Sequence, residues 1–319
     1  MKLSALFAEA IRIGMEADPR GKKHLEKFLK KAKDAQKKAE GDDKKYFDDE
    51  RTWNPYGDSR IINGTGNEDV QVLMVGIDIE TPELLLADRL REKGEKIDAM
   101  FIHHPEGRPL GDLDQVMSLQ VDVLADVGVP VNQSEAFLRP RLDQIRRSIH
   151  ADNLFRTERA AELLGFPAFC CHTPTDNLAW GFMEKNIANK EYDSLGEILT
   201  ALHKIPEYED HAKRGNPAII VNGSKDGRPG KIAATEFTGG TNGPEEFLKA
   251  QADAGVGTIL SMHAAEKVLE AAHKHHVNII QCSHMASDSL GVNLMLDALS
   301  KKEKKLRTIE VSGFMRVKR

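Results

Sequence analysis

The chain has 319 residues, 40% of them hydrophobic, and a formal net charge of −5 at pH 7. This length supports one large or two ordinary globular domains, and the acidic balance argues against a dedicated nucleic-acid or membrane-surface protein. Because three cysteines cannot form an even-numbered disulfide framework and no apolar run approaches a membrane span, we predict a cytoplasmic protein with small-molecule partners.

Residues 1–66 are predicted to form an N-terminal helical extension. The apolar segment 1–15 is interrupted by Glu9 and Arg12, which favours an amphipathic helix over a signal peptide. Residues 22–40 place apolar side chains at helical spacing among lysines, which is typical of a surface helix. An acidic run follows at once and cancels most of this positive charge, so the lysines do not indicate nucleic-acid binding.

From about residue 67, short apolar runs alternate with helical stretches, a pattern typical of α/β proteins. Residues 70–77 are predicted to form a buried strand, and residues 81–94 a helix that opens near a proline and ends at a glycine. Residues 97–104 form the next predicted strand, which ends in two adjacent histidines.

The same order returns after residue 230, with a strand, a helix over 244–255 and a strand followed by His263. We therefore predict an α/β fold of two similar α/β domains with mixed sheets. Residues 67–205 form the first half and 206–319 the second, although the chain is free to cross between the two structural domains. The polar segment 206–217 is predicted to be a linker loop.

Three places in the sequence put polar side chains directly after predicted strands, where α/β proteins bind ligands. The residues are His103 and His104, His172 and Asp176, and His284 and Asp288. A spacing of four residues on a helix places both side chains on one face. Mixed histidine and aspartate ligation suits Zn, Mn, Fe or Co, and this many donors suits two divalent ions better than one.

Each of these residues also has a structural explanation. Asp176 and Asp288 are well placed in the first turns of helices, and the histidine pair can be core filling. Cys171 and Cys282 lie near histidines, so a structural zinc site is an alternative. The glycine-rich segment 237–246 resembles a phosphate loop, but its two glutamates would repel an anion, which favours a simple backbone turn.

The motifs "HHP" at 103–105, "HTPTD" at 172–176 and "HMASD" at 284–288 have the order and rough spacing of a known family. The sequence resembles the Nif-three-like dinuclear metal-centre hexameric proteins, some of which carry the name GTP cyclohydrolase I type 2. The resemblance covers roughly residues 67–315. It implies two similar α/β domains in a toroidal homohexamer, a trimer of dimers, with sites facing an inner cavity.

The resemblance also implies the roles of the site residues. Two divalent transition-metal ions per chain would be held by His103, His104, Asp176, His284 and Asp288. His172 would line the site, and we predict that it acts as general acid or base for a bridging hydroxide that attacks a nucleotide-like or other small polar substrate. The alternative is a ring-shaped metal-binding or scaffold protein without turnover.

Two departures from the family pattern concern the substrate and the carboxylates. The segment after "HHP" brings Glu106 and Arg108 to the predicted mouth, and we predict that both bind substrate. Asp288 stands where the family has glutamate and is one methylene shorter. The expectation is therefore that the bridging geometry adjusts, or that another carboxylate such as Glu106 or Glu236 assists.

Overall fold

The computed structural model describes residues 1–319. The strands are β1 (Ile61–Asn63), β2 (Val72–Gly76), β3 (Ala99–Ile102), β4 (Ala168–Cys170), β5 (Ile219–Asn222), β6 (Lys231–Glu236), β7 (Val256–Ser261), β8 (Asn278–Gln281) and β9 (Arg307–Val311). The first helices are α1 (Leu3–Glu16), α2 (Gly21–Lys38), α3 (Gly41–Lys45), α4 (Thr81–Glu92), α5 (Arg108–Gly111), α6 (Leu113–Val116), α7 (Leu119–Asp126) and α8 (Val131–His150). The others are α9 (Arg156–Leu164), α10 (Thr173–Met183), α11 (Leu195–Leu202), α12 (Pro206–Lys213), α13 (Glu246–Asp253), α14 (Glu266–His275) and α15 (His284–Lys302), with a 3₁₀ turn at Asp49–Thr52 and a π-helical turn at Glu184–Ala188.

These strands form two separate mixed sheets. The first has five strands in the order β1-β4-β3-β2-β9, parallel except for β1, which pairs antiparallel with β4. The second has four strands in the order β5-β8-β7-β6, and only its edge strand β5 is antiparallel. Each sheet therefore has a parallel body and an antiparallel edge, which confirms the predicted fold class.

The first 66 residues contribute to the first sheet and to its core. Strand β1 is the edge of that sheet, and Leu3, Leu6 and Phe7 of α1 are buried in one hydrophobic cluster with Phe101 of β3. Helix α2, in contrast, buries only Leu25, as expected for a surface helix. The domain boundaries drawn from the sequence remain a prediction, and no helix combines the length and apolar character needed to cross a membrane.

Helix α15 connects the two halves. It follows β8 of the second sheet and precedes β9 of the first. Near its start, Ala286 and Leu290 pack into the core of the second half, whereas Met295 and Leu299 pack into the core of the first. One rigid element therefore fixes the relative position of the two sheets.

The predicted loop over residues 206–217 is wrong, because its first eight residues form α12. Pro206 occupies the first turn, acidic residues follow it there, and Tyr208 is fully buried. A proline and acidic side chains suit a helix N-terminus, so the polar composition marks a helix with one buried side rather than a linker. Helices α5 to α9 lie in a stretch for which no helix was predicted.

A substitution at Gly291 tests the close contact between α15 and α10. A Cβ atom at this position would lie 2.4 Å from the backbone oxygen of Thr175. We expect Gly291→Ala to lower the free energy of unfolding by about 1–3 kcal/mol, because the backbone of α10 must move to make room. Urea denaturation measures the change.

Gly181→Ala is the matched control, since Gly181 also lies inside a helix but a Cβ there would meet nothing within 4 Å. Its better helix propensity should leave stability unchanged or raise it by up to about 1 kcal/mol. A Gly291→Ala protein as stable as the control would contradict the close helix contact.

Candidate metal centre

The two adjacent histidines follow β3, and their ring centroids lie 5.0 Å apart. The hydrogen-bond ladder continues past the strand, because His103 N donates to Gly76 O at 3.1 Å and His104 N donates to Ile77 O at 2.9 Å. The two side chains differ in exposure, since that of His103 is 1% exposed and that of His104 is 25% exposed.

His103 is oriented by the threonine of the second motif. Its Nδ1 lies 2.9 Å from Thr175 Oγ1, and this hydroxyl donates its own proton to a backbone carbonyl oxygen, that of His172 at 2.7 Å being the nearest. The hydroxyl therefore accepts from Nδ1–H, which leaves a lone pair on Nε2. That nitrogen lies 3.4 Å from Asp288 Oδ1 and 3.6 Å from Asp176 Oδ1.

His104 and His284 face the other oxygen of Asp288. His104 Nε2 lies 3.5 Å from Asp288 Oδ2, and His284 Nε2 lies 3.4 Å from the same atom. His104 Nδ1 is 2.6 Å from Asp78 Oδ1, a carboxylate that directly follows β2. Because α15 begins at His284, the predicted spacing of four residues does place His284 and Asp288 on one helix face.

His172 completes the cluster from the side of Asp176. Its Nδ1 lies 2.9 Å from Asp58 Oδ2, and its Nε2 lies 3.5 Å from Asp176 Oδ2. Thr173 Oγ1 donates to the same Asp58 oxygen at 2.6 Å. The side chains of His172 and Asp176 are 8% and 2% exposed, so this part of the cluster is closed to solvent.

Several polar atoms of this cluster are buried without any hydrogen-bond partner. They are His103 Nε2, Asp176 Oδ2 and both carboxylate oxygens of Asp288. Buried polar atoms normally have partners, because an unsatisfied one costs free energy. Donor atoms within 4.8 Å of one another form three groups: His103, His104 and His172; His104, His284 and Asp288; and His103, Asp176 and Asp288. A cluster of imidazole nitrogens and carboxylate oxygens without hydrogen-bond partners is the kind of donor set that binds divalent transition-metal ions.

Burial and opposite charges shift the pKa values of these groups in different directions. Burial lowers the pKa of His103 to about 4 and raises that of Asp176 to about 7. For His104 burial also lowers the pKa, but hydrogen bonds to Asp288 and Asp78 outweigh it and raise the value to about 10. Despite burial, the imidazoles around Asp288 hold its pKa well below the ordinary value, so this carboxylate is anionic.

The two predicted mouth residues lie outside the three groups. Arg108 contacts the carboxylates of Asp48 at 3.1 Å and Asp112 at 3.7 Å. The backbone N–H of Glu106 lies 3.4 Å from Cys170 Sγ, and burial raises the pKa of the Glu106 carboxyl group. Their roles in substrate binding remain a prediction.

The cysteines and the glycine-rich loop do not join the candidate centre. All three cysteines are buried and free, and none belongs to a group of possible metal donors, so the alternative of a structural zinc site gains no support. In the loop, Gly239 and Gly240 have positive φ angles of 93° and 85°, and Gln120 Nε2 donates to the carbonyl oxygen of Gly239 at 2.8 Å. This loop is a glycine-dependent turn, as the sequence favoured.

Sequence reasoning missed three orienting residues, Asp58, Asp78 and Thr175. Asp78 directly follows a strand, so the rule that selected the three motifs also identifies it. Thr175 lies inside the second motif. Asp58 lies in a turn before β1 and is separated from His172 by 114 positions, so nothing local in the sequence indicates its contact.

Comparisons with known proteins support the resemblance. No protein-family model and no curated protein sequence matches the chain. The solved structure of a NIF3 superfamily protein from Sphaerobacter thermophilus is similar, with 28% sequence identity, a TM-score of 0.70, and coverage of 81% of this chain and 91% of that chain. Reduced HcgD from Methanocaldococcus jannaschii has 14% identity and a TM-score of 0.49 over 78% of this chain and 86% of that chain. A Bacillus cereus protein related to NIF3 has 11% identity and a TM-score of 0.42 over 81% and 92%. The first comparison confirms the resemblance, and the other two, with TM-scores below 0.5, add nothing to it.

Glu236, which the sequence suggested as an assisting carboxylate, ends β6 and belongs to none of the three groups. It lines a cavity of about 20 Å³ together with His263, whose ring lies 5.0 Å from that of His284. Burial raises the pKa of Glu236 from 4.5 to about 7. Between pH 4.5 and about 7 the carboxyl group of Glu236 is protonated in the folded protein but ionised in the unfolded chain. The bound proton therefore stabilises the folded protein at low pH, and this stabilisation is lost as the pH rises through about 7.

Glu236→Gln removes this pH dependence. The difference in unfolding free energy between the variant and the parent should be more favourable to the variant at pH 8 than at pH 4.5, by about 1–3 kcal/mol. Urea denaturation of metal-free protein at both pH values gives the difference, and Glu270→Gln on the exposed side of α14 controls for the loss of one carboxylate. Equal effects of Glu236→Gln at the two pH values would contradict the burial of an ionisable carboxyl group.

Proposed function

We propose that this chain, which resembles NIF3 superfamily proteins, is a dinuclear metal-dependent hydrolase. One divalent ion would be held by His103, Asp176 and Asp288, and the other by His104, His284 and Asp288. The observation that carries the proposal is the Asp288 carboxylate, because both of its oxygens are buried without a hydrogen-bond partner and they face different groups of donors.

The positions of its two oxygens support Asp288 as a shared carboxylate that needs no assisting residue. The sequence left open whether its short side chain reaches both metal positions, and its two oxygens lie 3.4 Å from His103 Nε2 and His284 Nε2. Glu106 and Glu236 are outside all three donor groups. The shorter side chain is therefore supported as a full replacement for glutamate.

When bound, the two ions would supply Lewis-acid activation of water and of an electrophilic carbon or phosphorus centre. The exposure of the proposed ligand side chains indicates from which side a substrate would approach the two ions. His104 and His284 are 25% and 34% exposed, whereas His103, Asp176 and Asp288 are closed off. A small polar, nucleotide-like substrate would enter on the side of His104, where Asp78 fixes the imidazole.

His172 was predicted to transfer protons. Its Nε2 faces Asp176, its ring forms a donor group with the histidine pair, and its Nδ1 is held by a buried carboxylate. The residue is therefore positioned either to exchange a proton with a substrate or to bind metal directly.

Metal content tests the shared carboxylate. We expect about two transition-metal ions per parent chain after purification without chelator. Asp288→Ala should lose both ions, because it removes a donor from each group, whereas His284→Ala should weaken only one. Asp253→Ala, on an exposed helix surface, is the matched control and should retain both. Elemental analysis measures the content, and a parent protein that takes up neither Mn nor Zn would contradict the proposal.

A hydrolysis screen over nucleotides and phosphoesters tests turnover. We expect activity that requires added metal and falls at least about 100-fold in Asp288→Ala, as for loss of a metal ligand. Metal-loaded protein with no activity on any of these substrates would instead support the non-catalytic metal-binding alternative. The homohexamer remains a prediction, and sedimentation of the 35.5 kDa chain gives the number of subunits.

A further inference from the structure

We propose that His172 is a sixth metal ligand and that Asp58, from the N-terminal region, is the carboxylate that orients it. The inference rests on the proposed dinuclear centre and changes the role of His172 within it. It also gives the segment before β1 a function in the site.

Asp58 fixes which nitrogen of His172 carries the proton. Its carboxylate is fully buried, and Oδ2 accepts hydrogen bonds from Thr173 N at 3.2 Å and Thr173 Oγ1 at 2.6 Å. His172 Nδ1 lies 2.9 Å from the same oxygen. An ionised carboxylate oxygen can only accept hydrogen bonds, so Nδ1 carries the hydrogen and the lone pair of the neutral ring is on Nε2.

The backbone holds this pair in place. His172 N donates to Ser59 Oγ at 3.0 Å, and Cys170 N donates to Arg60 O at 2.8 Å. Ser59 Oγ also contacts Asp58 Oδ1 at 3.2 Å. Because residues 58–60 are joined to the end of β4 at several points, the imidazole has little freedom to turn away from the cluster.

The free nitrogen of His172 faces donors that lack partners. A ring nitrogen of His172 lies within 4.8 Å of ring nitrogens of both His103 and His104. Its Nε2 is 3.5 Å from Asp176 Oδ2, a buried oxygen without a hydrogen-bond partner. Lone pairs that converge in this way repel one another unless a cation lies between them.

His172 has the same arrangement as the two proposed histidine ligands. In His103 and His104 as well, Nδ1 is held by an oxygen, of Thr175 and Asp78 respectively, and Nε2 faces the cluster. Metal-binding histidines commonly donate their second ring N–H to a carboxylate or another oxygen, which fixes the ring for ligation. Ligation explains why three imidazoles converge on one point, whereas proton transfer by His172 alone does not require this convergence.

The test compares metal affinity in His172→Gln and Asp58→Asn with that of the parent. His211→Gln is the matched control, because His211 is 8% exposed against 7% for His172 and belongs to no donor group. Zinc affinity is measured by competition with a chromophoric chelator, and cobalt absorption reports the donors around each ion. Thermal unfolding of the metal-free proteins verifies their folds.

We expect His172→Gln to weaken the binding of one ion at least about 100-fold and to change the cobalt spectrum, and Asp58→Asn to weaken it about 10–100-fold. The control should match the parent. Parental affinity for both ions in His172→Gln would overturn the inference but leave the dinuclear centre intact, whereas a parent that binds no metal would overturn both. If His172→Gln does not fold, Asp58→Asn decides, and parental affinity in that variant overturns the inference.

Discussion

The buried carboxylate of Asp288 is the constraint on which the rest of the molecule depends. An anionic group inside a protein costs several kcal/mol unless opposite charge or hydrogen bonds compensate it. Here the surroundings offer imidazole nitrogens on both sides, at 3.4 to 3.5 Å, and no backbone donor. The compensation that we propose is a pair of metal ions, one held by the imidazoles on each side of this carboxylate.

The fold holds this carboxylate by bringing together the carboxyl ends of the parallel strands of the two sheets. His103 and His172 follow strands of the first sheet, and His284 follows a strand of the second. Helix α15 carries Asp288 and is packed into both hydrophobic cores, so neither half can shift without moving the site. The close approach of Gly291 to α10 sets the distance between Asp288 and Asp176 on the two helices.

Much of this arrangement was predictable from the sequence, because strand ends and helical spacing are local patterns. The six residues at three strand ends do come together, and the mixed α/β architecture is present. The four-residue helices α5 and α6 and the proline within α8 break the periodicity that would have marked that region as helical. Arg108 and Asp58 depend on tertiary contacts, which no spacing in the sequence encodes.

The most direct measurement of the central claim is an anomalous difference map from crystals of the protein grown with zinc or manganese. The account predicts two peaks per chain, one on each side of the Asp288 carboxylate, with His103 next to one and His284 next to the other. A single peak, or peaks away from Asp288, would contradict a centre built on a shared carboxylate.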